Sequence, residues 1–108
     1  MSGTDFDRQL AELASSLDQV VVLLREHGED HWLSWAERCR RELEACDAAA
    51  FDHLLGGYGG MGSFNDLVIL GVNGHLIEPD REHAVNDRLK RLRTAIWTHA
   101  TALRHEVR

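Results

Sequence analysis

Five of the nine glycines fall within residues 56–62, in the run Gly56-Gly57-Tyr58-Gly59-Gly60-Met61-Gly62-Ser63-Phe64-Asn65-Asp66. Glycine loses more backbone freedom on ordering than any other residue, so neither a helix nor a strand continues through such a stretch. The run is therefore either a shaped turn with left-handed backbone or a flexible hinge between a front and a rear part, and its polar tail favours the turn. Ser63, Asn65 and Asp66 bring a hydroxyl, an amide and a carboxylate that can bond loop backbone, while Tyr58 and Phe64 can anchor the turn to a core. Ordered loops of this length tend to carry function. Tyr58, Gly59, Gly60, Met61, Gly62, Ser63, Asn65 and Asp66 are therefore candidate binding residues, with His75 brought near them by the turn that follows.

The front part reads as helices. Thr4-Asp5-Phe6-Asp7 offers an N-cap with an acidic N3 residue, and Phe6, Leu10, Leu13, Leu17, Val20 or Val21, and Leu24 recur at three and four as far as His27. Gly28 supplies the stop. The β-branched run Val20-Val21-Val22 sits inside this period, so that end should be buried on more than one side. Glu29 and Asp30 place negative charge at the start of a second helix, whose apolar face carries Trp32, Trp35, Ala36, Cys39, Leu43 and Cys46. Asp47 can cap a short third helix ending at Gly56 and Gly57, in which Phe51, Leu54 and Leu55 must dock on the first two.

After the glycine run, Leu67-Val68-Ile69-Leu70-Gly71-Val72 is β-prone, and Asn73-Gly74 is the preferred two-residue hairpin turn. The expectation is a small β-hairpin, residues 67–72 with 75–77. A short helix starting at Ser63, through Ser63-x-x-Asp66, is the competing reading. An exposed hairpin edge would also offer a homodimer contact. Pro79 suits the first turn of a final helix over residues 80–106, with Val85, Leu89, Leu92, Ile96, Ala100, Leu103 and Val107 on one seam. The expected fold is mainly α: one domain over residues 1–108, with three long helices, one short helix and the hairpin, the glycine-rich loop lying at 56–66.

Charge narrows the partner classes. Residues 1–78 carry 5 basic and 14 acidic side chains, and residues 79–108 carry 7 and 4, which gives the net charge of −6. An acidic body argues against nonspecific nucleic-acid binding, which needs cations to displace counterions. The basic last segment is expected to lie against the acidic first ones, the alternative being a basic face kept for a partner. No apolar run approaches the roughly 20 residues needed to cross a bilayer, and no leader pattern opens the chain. A cytoplasmic protein is expected, with no membrane partner. Cys39 and Cys46 stand about 10 Å apart along a helix, beyond disulfide reach, and both read as small core residues.

Gly57-Tyr58-Gly59-Gly60-Met61-Gly62 matches G-x-G-x-x-G by letter, yet it follows a short helix instead of a strand, and no lysine follows as in a phosphate-binding loop. Its amides could still form an anion nest. Ser63, Asn65, Asp66 and His75 are the nearest thing to a nucleophile with an acid or base, although Asn and Asp beside glycines more often bond their own backbone. An enzyme is thus the less favoured class, and His75 reads more readily as a surface strand residue. The seven histidines show no ligand spacing, so neither metal nor cofactor is expected.

The run from Gly59 to Leu67, followed by Asn73-Gly74-His75 and a closing amphipathic helix, resembles a family of small bacterial domains of unknown function that share a Gly-Gly-Met-Gly-Ser-(Phe or Leu)-Asn-Asp signature. The likeness spans about Trp32 to the last helix. It implies a bacterial origin and the importance of this loop, and it implies no reaction. Size, acidity and the lack of reactive spacing favour a protein-binding module, such as the immunity- or antitoxin-like partner of an effector. The alternatives are an anion-binding or hydrolytic domain using the loop and His75, and a structural subunit of a homo-oligomer.

Overall fold

The computed structural model describes residues 3–107, with side chains from Asp5 onward. Among the described residues every regular element is helical: α1 (Gly3–Glu26), α2 (Asp30–Glu44), α3 (Ala49–Gly56) and α4 (Glu82–Glu106), with short 3-10 turns at Phe64–Asp66, Gly71–Asn73 and Pro79–Arg81. The three long helices and the short one stand where the apolar periods place them. α1 packs along both α4 and α2, and α3 closes the bundle against α2 and α4. The body measures 45 × 23 × 21 Å.

The seams meet as the spacing demands. Leu13, Leu17, Val20 and Leu24 of α1 face Leu89, Leu92, Ile96 and Leu103 of α4, all buried. This end of α1 is buried on more than one side, Val20, Leu23 and Leu24 fully and Val21 in part, and only Val22 of the β-branched run faces solvent. The Thr4 cap falls outside the described side chains, and α1 already includes Gly3. Glu29 caps α2 by accepting from the Trp32 N–H at 3.0 Å, and Asp47 Oδ1 accepts from the Ala49 N–H at 2.9 Å where α3 begins. Cys39 is buried as expected, but Cys46 is not a core residue. It is exposed just past the end of α2 in a left-handed conformation, φ 59°.

The expected hairpin at 67–72 and 75–77 does not form, and the described residues contain no strand. The Asn73-Gly74 turn does exist, but it closes within residues 70–75: the Leu70 carbonyl accepts from the N–H groups of Asn73 (3.0 Å) and His75 (3.3 Å), and the Gly71 carbonyl from that of Gly74 (3.0 Å). Beyond that point the two arms find partners elsewhere. Ile69 pairs with a side chain of α4 and Leu76 pairs with His27. Backbone groups need partners, and helical side chains supply here what a second strand would otherwise supply. Of the apolar run, Ile69 turns into the core while Val72 stands 90% exposed. The competing helix from Ser63 survives only as the single 3-10 turn Phe64–Asp66.

Candidate functional site

Residues 57–78 form a strap across the bundle, and its geometry starts at Gly57. A Cβ there would lie 2.6 Å from Trp35 Cζ2, so only glycine lets the chain pass the indole. The Gly57 carbonyl then accepts from the Phe64 N–H at 2.8 Å, pinching off the glycine loop. Phe64, fully buried, packs against Trp32, Trp35 and Tyr58 with ring centroids 5.5, 4.8 and 5.8 Å away. The aromatic anchoring expected from Tyr58 and Phe64 is thus what holds the loop. At its tip Gly60 and Gly62 adopt φ 82° and 78°, and the Gly62 N–H donates to Asp66 Oδ2 at 2.9 Å.

Past Phe64 the strap runs beside α4, and three α4 side chains take its backbone. Arg93 Nη1 donates to the carbonyls of Leu67 (2.7 Å) and Phe64 (3.3 Å). Asn86 accepts the Ile69 N–H at 2.7 Å and returns a bond to the Ile69 carbonyl at 2.8 Å, acting as a one-residue substitute strand. Glu82 accepts from the Gly71 N–H at 2.9 Å. In return, the Tyr58 hydroxyl donates to the Arg93 carbonyl at 2.7 Å. Burial pushes the Tyr58 phenol up from its ordinary value, with Arg93 acting in the opposite sense. Burial likewise pulls the Arg93 guanidinium down, while Tyr58 and Asp66 favour its charge.

His75 is not a surface residue; its side chain is 9% exposed. Its Nε2–H donates to Glu29 Oε1 at 3.2 Å, and Nδ1 accepts from the Leu70 N–H at 3.1 Å. The same Glu29 carboxylate caps α2, so one residue joins the α1–α2 corner to the far end of the strap. His27 completes that junction: its carbonyl accepts from the Leu76 N–H at 3.0 Å and its Nδ1–H donates to the Leu76 carbonyl at 2.7 Å.

The residues singled out in the sequence therefore separate. Tyr58 and Asn65 come together, lining with Arg93, Thr94 and Trp97 a shallow cleft of about 260 Å³. Asn65 is exposed, and Trp97 is 49% exposed. Gly59, Gly60 and Met61 form the exposed tip, with Met61 fully in solvent. Ser63 is buried and its hydroxyl has no hydrogen-bond partner among the described residues. Asp66 is engaged in the turn, and His75 lies apart, on the wall of a second, larger cleft. That cleft, about 730 Å³, opens between α1, α4 and residues 75–81. Its floor is Leu23, Ile77 and Val85; Arg88 and Arg91 line the α4 side, with Arg81 at the N-cap of that helix.

Sequence reasoning missed Glu82, Asn86 and Arg93. Their signal was a polar stripe at i, i+4 and i+11, on one side of α4 beside its apolar seam. Among the described residues no group of three or more His, Cys, Asp or Glu could hold a metal ion, and no helix is long and apolar enough to cross a membrane.

These features define an all-helical chain with an irregular strap pinned by side chains. The chain belongs to the family described as a domain of unknown function (DUF6966), whose model matches residues 25–78. The match begins in the last turn of α1 and ends at Glu78, so it takes in α2, α3 and the whole strap and stops short of α4. No curated protein and no solved structure matches the chain.

Proposed function

We propose that this chain is a protein-binding module, acting in the cytoplasm as an acidic stoichiometric partner of the immunity or antitoxin kind. The observation that supports this most is the large cleft between α1 and α4, with an apolar floor formed by Leu23, Ile77 and Val85 and a charged rim. Protein interfaces have this anatomy, an apolar centre ringed by polar groups. The strap adds to the reading, because its polar groups hold it in place and fix the surface it presents. Preorganisation of that kind lowers the entropy lost on binding.

The hydrolytic reading draws less support. A general base needs a free ring nitrogen, whereas both nitrogens of His75 are engaged, by Glu29 and by Leu70. Of the loop amides, the Gly62 N–H is already taken by the Asp66 carboxylate. The bacterial origin and the Gly59–Asp66 signature belong to the same proposal.

The test is capture of the tagged chain from its native cell, followed by mass measurement of the complex in solution. A single stoichiometric protein partner is expected. Recovery of the chain alone would sink the reading, and recovery only as a homo-oligomer would favour the structural-subunit alternative.

A further inference from the structure

We infer that the cleft between α1 and α4 docks an acidic amphipathic helix of a partner protein; this rests on the protein-binding reading and names the ligand chemistry of the same site. The argument begins with charge. The first 78 residues carry a net −9 and the last 30 a net +3, by the side-chain counts of 5 against 14 and 7 against 4. The charge pattern leads one to expect the basic last segment to lie against the acidic first ones, and α4 does pack along α1 and α3, with His99 Nε2 3.1 Å from Glu12 Oε2. Direct Arg or Lys ion pairs between the halves are few. Among the described residues, Arg104 reaches Asp52 at 3.5 Å, and no other Arg or Lys of the last segment has an ion pair with a carboxylate of the first 78.

The three arginines on the cleft show where that charge goes. Arg88 meets only the neutral Gln19 Oε1, at 3.4 Å. Arg91 pairs with Asp87 on its own helix, and both side chains are more than half exposed. The Arg81 backbone N–H donates to the Glu78 carbonyl at 2.9 Å, while its guanidinium has no hydrogen bond or ion pair among the described residues. Arg88 and Arg91 stand three apart on one side of α4, and Arg81 precedes them by seven residues at the helix's N-cap, so the three cover about 15 Å of rise. At their feet lies the apolar floor of Leu23, Ile77 and Val85, and Leu76, 69% exposed, forms the lip.

An occupant must satisfy both surfaces. It needs an apolar stripe for the floor and carboxylates on the edge facing α4, over about three helical turns. The opposite wall carries Glu26 and Glu78, so the other edge of the occupant is expected to be basic. A nucleic acid fits this poorly. Its phosphates would meet Glu26 and Glu78 as well as the arginines, and the apolar floor would stay uncovered.

The probe is a synthetic helical peptide of about 14 residues, four turns, with leucines on one stripe, glutamates along one edge and lysines along the other. Its twin has the glutamates replaced by lysines, and a short DNA duplex serves as the third ligand. NMR titration of the whole chain should show the acidic peptide perturbing Leu23, Leu76, Ile77 and Val85, with affinity falling as salt rises. The exposed double variant Arg88→Glu/Arg91→Glu should weaken it by about ten-fold or more and bind the lysine twin in its place. Four results overturn the inference: no binding of the acidic peptide, perturbation centred on Trp97 instead, equal binding of the twin to the native chain, or tighter binding of the duplex. A native partner captured equally well by the double variant would also overturn it while leaving the protein-binding reading standing. Failure to capture any partner would strike that reading alone.

Discussion

The α1–α4 pair and the strap are both held firmly, by different physics. Along the helices, Leu13, Leu17, Val20 and Leu24 meet Leu89, Leu92, Ile96 and Leu103 in a dry seam. That attraction is non-directional, and it tolerates volume-conserving exchanges. The strap buries few large side chains, chiefly Phe64 and Ile69, and takes its shape from directed bonds made by Asn86, Arg93, Glu82, His75 and His27. Irregular backbone can thus be fixed as closely as a helix if each of its polar groups is handed a partner. The consequence is that its shape depends on single residues, whereas the seam distributes its stability over many.

The largest effect that could break this contrast is expected at Phe64, where the strap borrows the physics of the core. Phe64→Ala empties a fully buried site among Trp32, Trp35 and Tyr58 and should cost about 3–5 kcal/mol in chemical denaturation. Leu17→Ala should fall in a similar range, about 2–5 kcal/mol. If Phe64→Ala costs under about 1 kcal/mol while Leu17→Ala does not, the strap is an appendage and not part of the core.

The next effect isolates the directed bonds. Asn86→Ala strands the Ile69 N–H and C=O together, which should cost about 2–3 kcal/mol. Hydrogen exchange gives the sharper reading: the Ile69 amide should lose protection while amides of α1 keep theirs, because the strap opens without the bundle. Equal loss everywhere would mean that strap and seam unfold as one unit. Asn86→Asp keeps the acceptor for the Ile69 N–H but loses both donor bonds, to Ile69 and to the Glu82 carbonyl, so it should retain more amide protection than alanine does.

Tyr58→Phe removes one bond, to the Arg93 carbonyl, and should cost about 1 kcal/mol at neutral pH. It also carries a pH signature. Burial raises the phenol above its ordinary value, so the folded chain holds that proton to higher pH than the unfolded chain. The stabilisation is complete below the unfolded value of about 10 and is lost as pH climbs past it toward the folded value. Thermal melts over about pH 8 to 11 should therefore show a steeper alkaline decline for the native chain than for Tyr58→Phe. Parallel declines would show that Tyr58 ionises as freely in the fold as out of it.

The same contrast explains what could be read in advance. The helices were legible because burial repeats every three or four residues, and Leu13, Leu17, Leu89 and Ile96 recur accordingly. The strap was misread as a hairpin because Leu67–Val72 has the composition of a strand, while the residues that pair with it lie in α4 at 82, 86 and 93. Local composition carries no record of so distant a partner. Asn-Gly at 73–74 correctly announced a turn and said nothing of what its arms would bond. Within the loop, Tyr58 and Phe64 were legible as anchors by their size. His75 was not, because its burial depends on the Glu29 carboxylate that also caps α2.

The smallest effect concerns the end of α2, where the helical frame itself holds a residue in an unfavourable conformation. Cys46 sits at φ 59°, its N–H bonded to the Leu43 carbonyl at 3.1 Å, and the Asp47 N–H reaches the Glu42 carbonyl at 2.9 Å. Glycine is the usual occupant of such a helix end, so Cys46→Gly should raise stability by about 0.5–1 kcal/mol. Cys46 also borders a small apolar cavity of about 170 Å³ with Phe6, Leu10 and Phe51. If the glycine variant is less stable, contact with those side chains outweighs the backbone strain. Thiol labelling separates the two cysteines independently: exposed Cys46 should react at once, while Cys39, buried and with its thiol pushed up to about 12 by burial, should react only as fast as the chain unfolds. Prompt labelling of both would mean that the seam between α1 and α2 opens as readily as the strap.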